Sequence, residues 1–226
     1  ADAALAYRAC AEAIPALERL ARAARDVRFA RNDSLYYASK RGHRDALREE
    51  TALRAKHGLQ VEWLERDALR ERYGIDAPGA ILSVLAASVD PYRFAYRLLM
   101  RLEKRGAGVY DRSAVERIES GARGATLHCA GGARIRAGHV VLAAGYANER
   151  WLKKKVARNR SSYAFITDPI DAAALRPFRD TLVWESARPY LYMRVTDGER
   201  LIVGGEDDSV DVPSRRDARV LKKAQK

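Results

Sequence analysis

The stretch Arg134–Trp151, RIRAGHVVLAAGYANERW, decides how this chain is read. Its run Val140-Val141-Leu142-Ala143-Ala144 is too short for a helix and rich in β-branched residues, which predicts a buried parallel strand. Gly145 then permits a sharp turn or a close approach of backbone to a ligand, because it has no Cβ to clash. The residues up to Trp151 open as a helix. In open α/β sheets the crevice between the carboxyl end of such a strand and the next helix is where dinucleotides lie. An ordinary buried strand and turn carries the same pattern, so the neighbouring sequence has to arbitrate.

Upstream, Asp90-Pro91 reads as the N-cap and start of an amphipathic helix bearing Phe94, Leu98, Leu99 and Leu102. Gly106-Ala107-Gly108-Val109 follows, then a strand holding Val115 and Ile118, a hairpin-like stretch, and VVLAAG. The run VDPYRFAYRLLMRLEKRGAGVYDRSAVERIE, followed by a strand ending in AAG, resembles the D-amino-acid oxidase and glycine or sarcosine oxidase family of FAD-dependent oxidoreductases. Downstream, SSYAFITDPI and RPYLYMRVTDGERLIVGGEDD resemble that family's substrate-domain strands, so the resemblance covers most of residues 27–210.

The resemblance implies an α/β (α+β) fold, with part of a dinucleotide-binding FAD domain interleaved with a mixed, largely antiparallel substrate-binding sheet. It divides the chain into a helical segment (1–26), a first substrate part (27–88), an FAD segment (89–157), a second substrate part (158–212) and a helical tail (213–226). It implies FAD as cofactor and an amine or amino acid as the small-molecule substrate, oxidised by hydride transfer to the flavin. By resemblance, the main chain of Val115 meets the adenine, Ala143, Ala144 and Gly145 line the dinucleotide, and Trp151 closes over it. Each of these residues also fits an ordinary packing role.

A substrate site for this chemistry needs an aromatic wall and a cation for any substrate carboxylate. Tyr163, Tyr190 and Tyr192 on adjacent strands, with Arg188 beside them, are the candidates; alternating tyrosines also simply pack a half-buried sheet. The family's opening G-x-G-x-x-G unit, which seats a pyrophosphate on a helix N-terminus, occurs nowhere in the 226 residues. Of the adjacent-glycine pairs, Gly131-Gly132 reads as a hairpin turn and Gly204-Gly205 as a strand end. With Ala1 in a helical pattern and LKKAQK closing the chain, the expectation is an internal piece of a longer flavoenzyme, partnered by its missing N- and C-terminal segments.

Two cysteines, Cys10 and Cys129, sit among apolar or small residues and read as buried thiols rather than a disulfide, which points to a cytoplasmic setting. No uncharged run is long enough to span a bilayer. The net charge of +12 is spread over arginines with acids beside them, the pattern of solvated helix faces. Two clusters are less balanced: Lys153-Lys154-Lys155 with Arg158 and Arg160, and the tail from Arg215 to Lys226. The charge raises the question of nucleic acid, but no aromatic stacking platform accompanies it, so nucleic acid is not the expected partner. His43, His57, His128 and His139 lack metal-ligand spacing, and Glu206-Asp207-Asp208 reads as a solvated turn rather than a metal loop.

The remaining expectations are local. Residues 5–24 form an amphipathic helix with Leu5, Cys10, Ile14, Leu17 and Leu20 on one face, kinked or broken at Pro15. Val27–Ala30 and Ser34–Ser39 form a hairpin about Arg31-Asn32-Asp33. A helix runs from Gly42 to Lys56, a strand over Val61–Leu64, a helix over Asp67–Tyr73 stopped by Gly74, and a strand over Ile81–Val89. Strands at 162–167, 181–185, 190–196 and 201–204 follow, with Asp197-Gly198 as a hairpin turn. The competing reading is a non-catalytic α/β binding or interaction module that lacks the pyrophosphate site.

Overall fold

The computed structural model describes residues 2–154, 156, 160–210 and 213–225. Lys155 and Arg158 of the basic cluster, and Lys226 of the tail, lie outside the described residues. The chain is α/β and divides into two compact units, residues 1–95 with 160–226, and residues 96–159.

The first unit is built on a seven-stranded mixed sheet in the order β2-β3-β1-β8-β9-β10-β7. Its strands are β1 (Ala30–Tyr37), β2 (Val61–Glu65), β3 (Gly79–Ser88), β7 (Ser161–Ile166), β8 (Thr181–Glu185), β9 (Leu191–Val195) and β10 (Leu201–Asp208). The two sequence-distant strand sections therefore join in one sheet. All pairings are antiparallel except the seam between β1 and β8, where Leu35 faces Val183 and Tyr36 faces Trp184 in parallel register.

Alternation along these strands sorts side chains onto two faces. One face carries Leu35, Ala80, Leu82, Leu64 and Val183, which bury against Leu69 and Tyr73 of α3 (Arg66–Tyr73), with Phe178 packed at the edge. On the other face, α2 (Arg44–Lys56) sets Leu47 against Ile81 and Ala38, with Tyr36, Val61 and Trp63 around them. Gly58 and Gly74 end α2 and α3 in left-handed conformation, as expected of helix stops.

Several expectations change. The hairpin over 27–39 is one continuous strand, β1, because its predicted turn residues Asn32 and Asp33 pair with Ala86 on one side and Thr181 on the other. Two ladders outweigh local turn chemistry. Helix α1 (Asp2–Ala24) runs unbroken through Pro15, which removes one hydrogen bond without ending it. Its apolar stripe is largely uncovered: Leu5, Leu17 and Leu20 are exposed, and so is Cys10, whereas Cys129 is buried as expected. Burial is concentrated in its last turn, at Ala21 and Ala24.

Gly204-Gly205 lies inside β10 rather than at its end, and the acids that follow do not form a solvated turn. Asp208 accepts from the Tyr163 hydroxyl (2.9 Å) and pairs with Arg219 (3.0 Å), while Glu206 pairs with Lys223 (3.0 Å) of α7 (Val220–Ala224), the helix after α6 (Pro213–Asp217). These contacts clasp the tail onto the β7–β10 edge.

The second unit begins within α4 (Pro91–Glu103), whose N-cap is Asp90, accepting from the Arg93 N–H at 3.0 Å. It contains a three-stranded antiparallel sheet, β4 (Val115–Gly121), β5 (Gly124–Cys129) and β6 (Arg134–Ala137), with Gly131-Gly132 in the connection between β5 and β6. The predicted strand Val140–Ala144 is absent. These residues are irregular, and Val141 is 86% exposed. A buried parallel strand needs neighbours to complete its hydrogen bonds, and none of the described residues pairs with this segment.

Candidate functional site

Two surfaces, one in each unit, hold the sequence candidates. In the second unit, Ala143 and Ala144 are exposed and lead into Gly145, which takes φ +56° and starts a 3-10 stretch to Trp151. No atom lies within 4 Å of where a Cβ of Gly145 would stand, so its backbone is open to a partner. Asn148 fixes the turn: its Oδ1 accepts from the Ala144 N–H and its Nδ2 donates to the Leu142 carbonyl, both at 3.0 Å. Arg150 lies 4.5 Å over the Trp151 ring and donates to the Val115 carbonyl. Sequence reasoning missed two residues here: Arg150, which joins Val115 to Trp151, and Asn148, which holds the turn at Ala144. Asn at the fourth place after a small-residue run is the available signal, since its side chain competes for backbone groups.

An open glycine turn preceded by two alanines fits backbone contact with a dinucleotide, and Arg150 adds a cation beside Val115. The pyrophosphate cradle has no counterpart among the described residues, so the fit to FAD is that of a partial site.

In the first unit the substrate candidates separate. Gly204 is in register with Tyr192 on β9 and with Ala164 on β7, whereas Gly205 is in register with Leu191 and Tyr163. Successive residues of β10 point to opposite faces. Tyr163 therefore lies on the α7 side, with Lys223 5.4 Å from its ring centre, and Tyr192 on the other. The four candidates do not make one wall.

On the Tyr192 face, register aligns Tyr36, Trp184, Tyr192, Gly204 and Ala164 in one row. Tyr36 and Trp184 stack at 4.2 Å, Trp184 Nε1 donates to Ser34 Oγ at 3.1 Å, and the Tyr192 ring lies across Gly204. The next row is Ser34, Leu182, Arg194, Ile202 and Ile166. An aromatic wall with a cation beside it does exist, then, but its cation is Arg194, two residues along the strand from Tyr192. Period-two counting from Tyr192 would have found it.

Tyr190 stands just before β9, 6.1 Å from the Tyr192 ring centre, with Arg188 5.2 Å over its own ring. This loop is pinned from below. Glu185 accepts from the Leu191 N–H (3.1 Å) and Ser39 Oγ (2.8 Å), and Ser186 Oγ lies 2.6 Å from His43 Nδ1. Burial, with the Glu185 carboxylate nearby, pushes the Tyr37 hydroxyl up to about 12. Among the described residues no three His, Cys, Asp or Glu side chains gather as a metal site, and no helix is long and apolar enough to cross a membrane.

Comparison with known proteins gives consistent findings. The family described as FAD dependent oxidoreductase (DAO) matches residues 1–226. No curated protein matches the sequence. Among solved structures, glycine oxidase from Geobacillus kaustophilus superposes with a TM-score of 0.75 at 21% identity, covering 94% of this chain and 60% of that one. Iminodiacetate oxidase (IdaA) from Chelativorans sp. BNC1 gives 0.74 at 19% identity, covering 97% and 62%. L-proline dehydrogenase from P. horikoshii gives 0.73 at 14%, covering 94% and 60%. At these identities the likeness is one of fold, and the chain spans about 60% of the length of these structures.

Proposed function

Because the chain belongs to the FAD-dependent oxidoreductase family, we propose that it forms the substrate sheet and part of the flavin site of an enzyme that oxidises an amine or amino acid at a C–N bond. Such oxidation needs a hydride acceptor, the chemistry a bound flavin supplies. This chain's share is to bind and orient. In this reading residues 96–159 serve the cofactor, through the main chain at Val115, Ala143, Ala144 and Gly145, with Trp151 and Arg150 alongside. The first unit serves the substrate, through Tyr192 and the stacked Tyr36–Trp184 pair, with Tyr190 and Arg188 at the strand entrance. Tyr163 is taken up by Asp208 and Lys223 and serves the tail contact instead.

The observation that carries the reading is the family match over the whole chain. The neighbours' printed names, glycine oxidase, iminodiacetate oxidase and L-proline dehydrogenase, favour small amino-acid-like substrates. A cytoplasmic setting fits an exposed free thiol at Cys10.

Gly145→Val in the whole protein tests the cofactor half. Nothing crowds the Cβ position, so the direct structural cost is that of a β-branched residue at positive φ, about 1–2 kcal/mol. Loss of bound flavin, measured by absorbance, from a variant that stays folded is the expected outcome. Full flavin content in that variant would remove Gly145 from the cofactor site.

A further inference from the structure

Where β8 ends and β9 begins, Ser39, His43, Glu185 and Ser186 form a hydrogen-bonded cluster of half-buried side chains. The Ser39 N–H donates to Ser186 Oγ (3.0 Å), and the Ala187 N–H donates to Ser39 Oγ (2.9 Å). Ser39 Oγ donates in turn to Glu185 Oε2 (2.8 Å), while Glu185 Oε1 accepts from the Leu191 N–H (3.1 Å). Tyr37 also donates to Glu185 Oε2, at 3.4 Å. Burial, and then that carboxylate, push its hydroxyl up to about 12, so at neutral pH it keeps its proton and serves as a donor. A serine 2.6 Å from a histidine has the outline of a hydrolytic pair. The cluster is not built for that role, because the Ser39 and Ala187 N–H groups beside it are already engaged and leave no donor for an oxyanion.

The hydrogens of the cluster have one consistent arrangement. Ser39 gives its hydroxyl hydrogen to Glu185, and Ser186 Oγ accepts from the Ser39 N–H, so the Ser186 hydrogen goes to His43 Nδ1 at 2.6 Å. The other acceptor, Ser39 Oγ, lies 3.5 Å away, at the edge of hydrogen bonding. His43 stands at the N-cap of α2, and α2 is anchored by Leu47 packed on Ile81 and Ala38. The cluster thus ties residues 186–190 to a packed helix, beyond the point where the β8–β9 register ends at Trp184 and Tyr192. We propose that His43 is a positioning residue: through Ser186 it holds the turn that presents Arg188 and Tyr190 beside Tyr192, and so sets how tightly substrate is bound without taking part in the chemistry. The inference rests on the oxidoreductase reading and adds to it a control on substrate binding that lies outside the aromatic row.

The test uses the whole protein supplied with FAD and assayed on iminodiacetate, glycine and the other proteinogenic amino acids of both hands. Flavin content is read by absorbance, and hydrogen exchange of residues 186–191 by mass spectrometry. His43→Ala is expected to raise KM and speed that exchange about three- to tenfold, the change in an equilibrium that one lost hydrogen bond brings. Flavin content should be unchanged and kcat should stay within about twofold. His43→Asn, whose Oδ1 replaces Nδ1 as acceptor, should return both quantities to within about twofold of the parent. Ser186→Ala should match His43→Ala, with the double variant no worse than either, and it decides the matter if His43→Ala does not fold. KM unchanged in both alanine variants makes the cluster merely structural and overturns the inference alone, whatever the exchange shows; so does a KM that rises as much in His43→Asn as in His43→Ala. A whole protein that takes up no flavin, or oxidises none of these compounds, overturns the oxidoreductase reading and this inference with it.

Discussion

Gly204 and Gly205 are neighbours in one strand, both buried, and replacing them by alanine should have very different costs. A Cβ on Gly205 would stand 1.9 Å from the Tyr190 carbonyl oxygen and 3.0 Å from Leu191 Cα, both main-chain atoms of the adjoining strand. That carbonyl also accepts from the Glu206 N–H at 3.0 Å. Making room means parting β9 from β10, which breaks this bond and leaves a shielded carbonyl unpaired, about 1–3 kcal/mol. The φ of +130° adds strain of about 1–3 kcal/mol for a residue with a Cβ. Gly205→Ala should therefore cost about 2–6 kcal/mol, or roughly 4–24 °C in Tm at about 2–4 °C per kcal/mol.

At Gly204 the three atoms nearest the new methyl all belong to the Tyr192 side chain, the closest at 2.5 Å, and at 37% exposure that side chain has solvent to turn into. Gly204→Ala should cost about 1 kcal/mol or less, within the usual range for a tolerated change. Its effect belongs to binding instead: displacing Tyr192 from the sheet should raise KM more than it lowers kcat. Equilibrium urea unfolding of both variants checks the contrast. A Gly205→Ala protein within about 1 kcal/mol of the parent would refute the backbone-clash argument.

Three further outcomes follow from the same geometry. Asp171 accepts from the N–H groups of Ala173 (2.9 Å) and Ala174 (3.3 Å) at the start of α5 (Ala172–Leu175), so Asp171→Ala should destabilise by about 0.5–2 kcal/mol in denaturant titration. For Asp208, burial raises the carboxyl pKa but is outweighed by the Val210 N–H, Tyr163 and Arg219, which hold it below the usual range. Its contribution is present above the unfolded carboxyl pKa of about 3.9 and is lost as pH falls through the lower folded value, so amide exchange in residues 213–225 should accelerate in that acid window and lose the step in Asp208→Asn. Tyr37 has the opposite sign: with its hydroxyl raised to about 12, the stability it confers is full below about pH 10 and drains away as pH rises toward 12. Ultraviolet titration should show a late tyrosine that disappears in Tyr37→Phe.

What the sequence made legible was periodicity that agreed with context. Asp67–Tyr73 and Gly42–Lys56 carry helical spacing and a closing glycine, and both appear as α3 and α2 within a few residues of expectation. The alternation of Tyr190–Thr196 and Leu201–Gly204 likewise becomes β9 and β10. Misreadings arose where partners far along the chain decide the outcome. Arg31-Asn32-Asp33 has turn composition, yet β3 and β8 claim it from both sides. VVLAAG has strand composition, yet lacks neighbours among the described residues. The candidate site shows the same division: Tyr192 was visible by residue type, whereas the assignment of Tyr163 to the opposite face depends on the β10 register, which no local pattern encodes.

The parallel seam between β1 and β8 has a consequence for how the molecule is made. Tyr37 and Thr181 are separated by 181 − 37 = 144 residues, and the whole second unit is synthesised between them. At about 5–20 residues per second, β1 emerges roughly 7–29 s before the strand that covers its edge. During that interval the edge of β1 that pairs with β8 in the finished sheet has no strand to cover it, and an uncovered edge is a template for pairing with another nascent chain. Ribosome-bound chains arrested before Thr181 should accordingly recruit chaperone or aggregate, and chains extended past Glu185 should not.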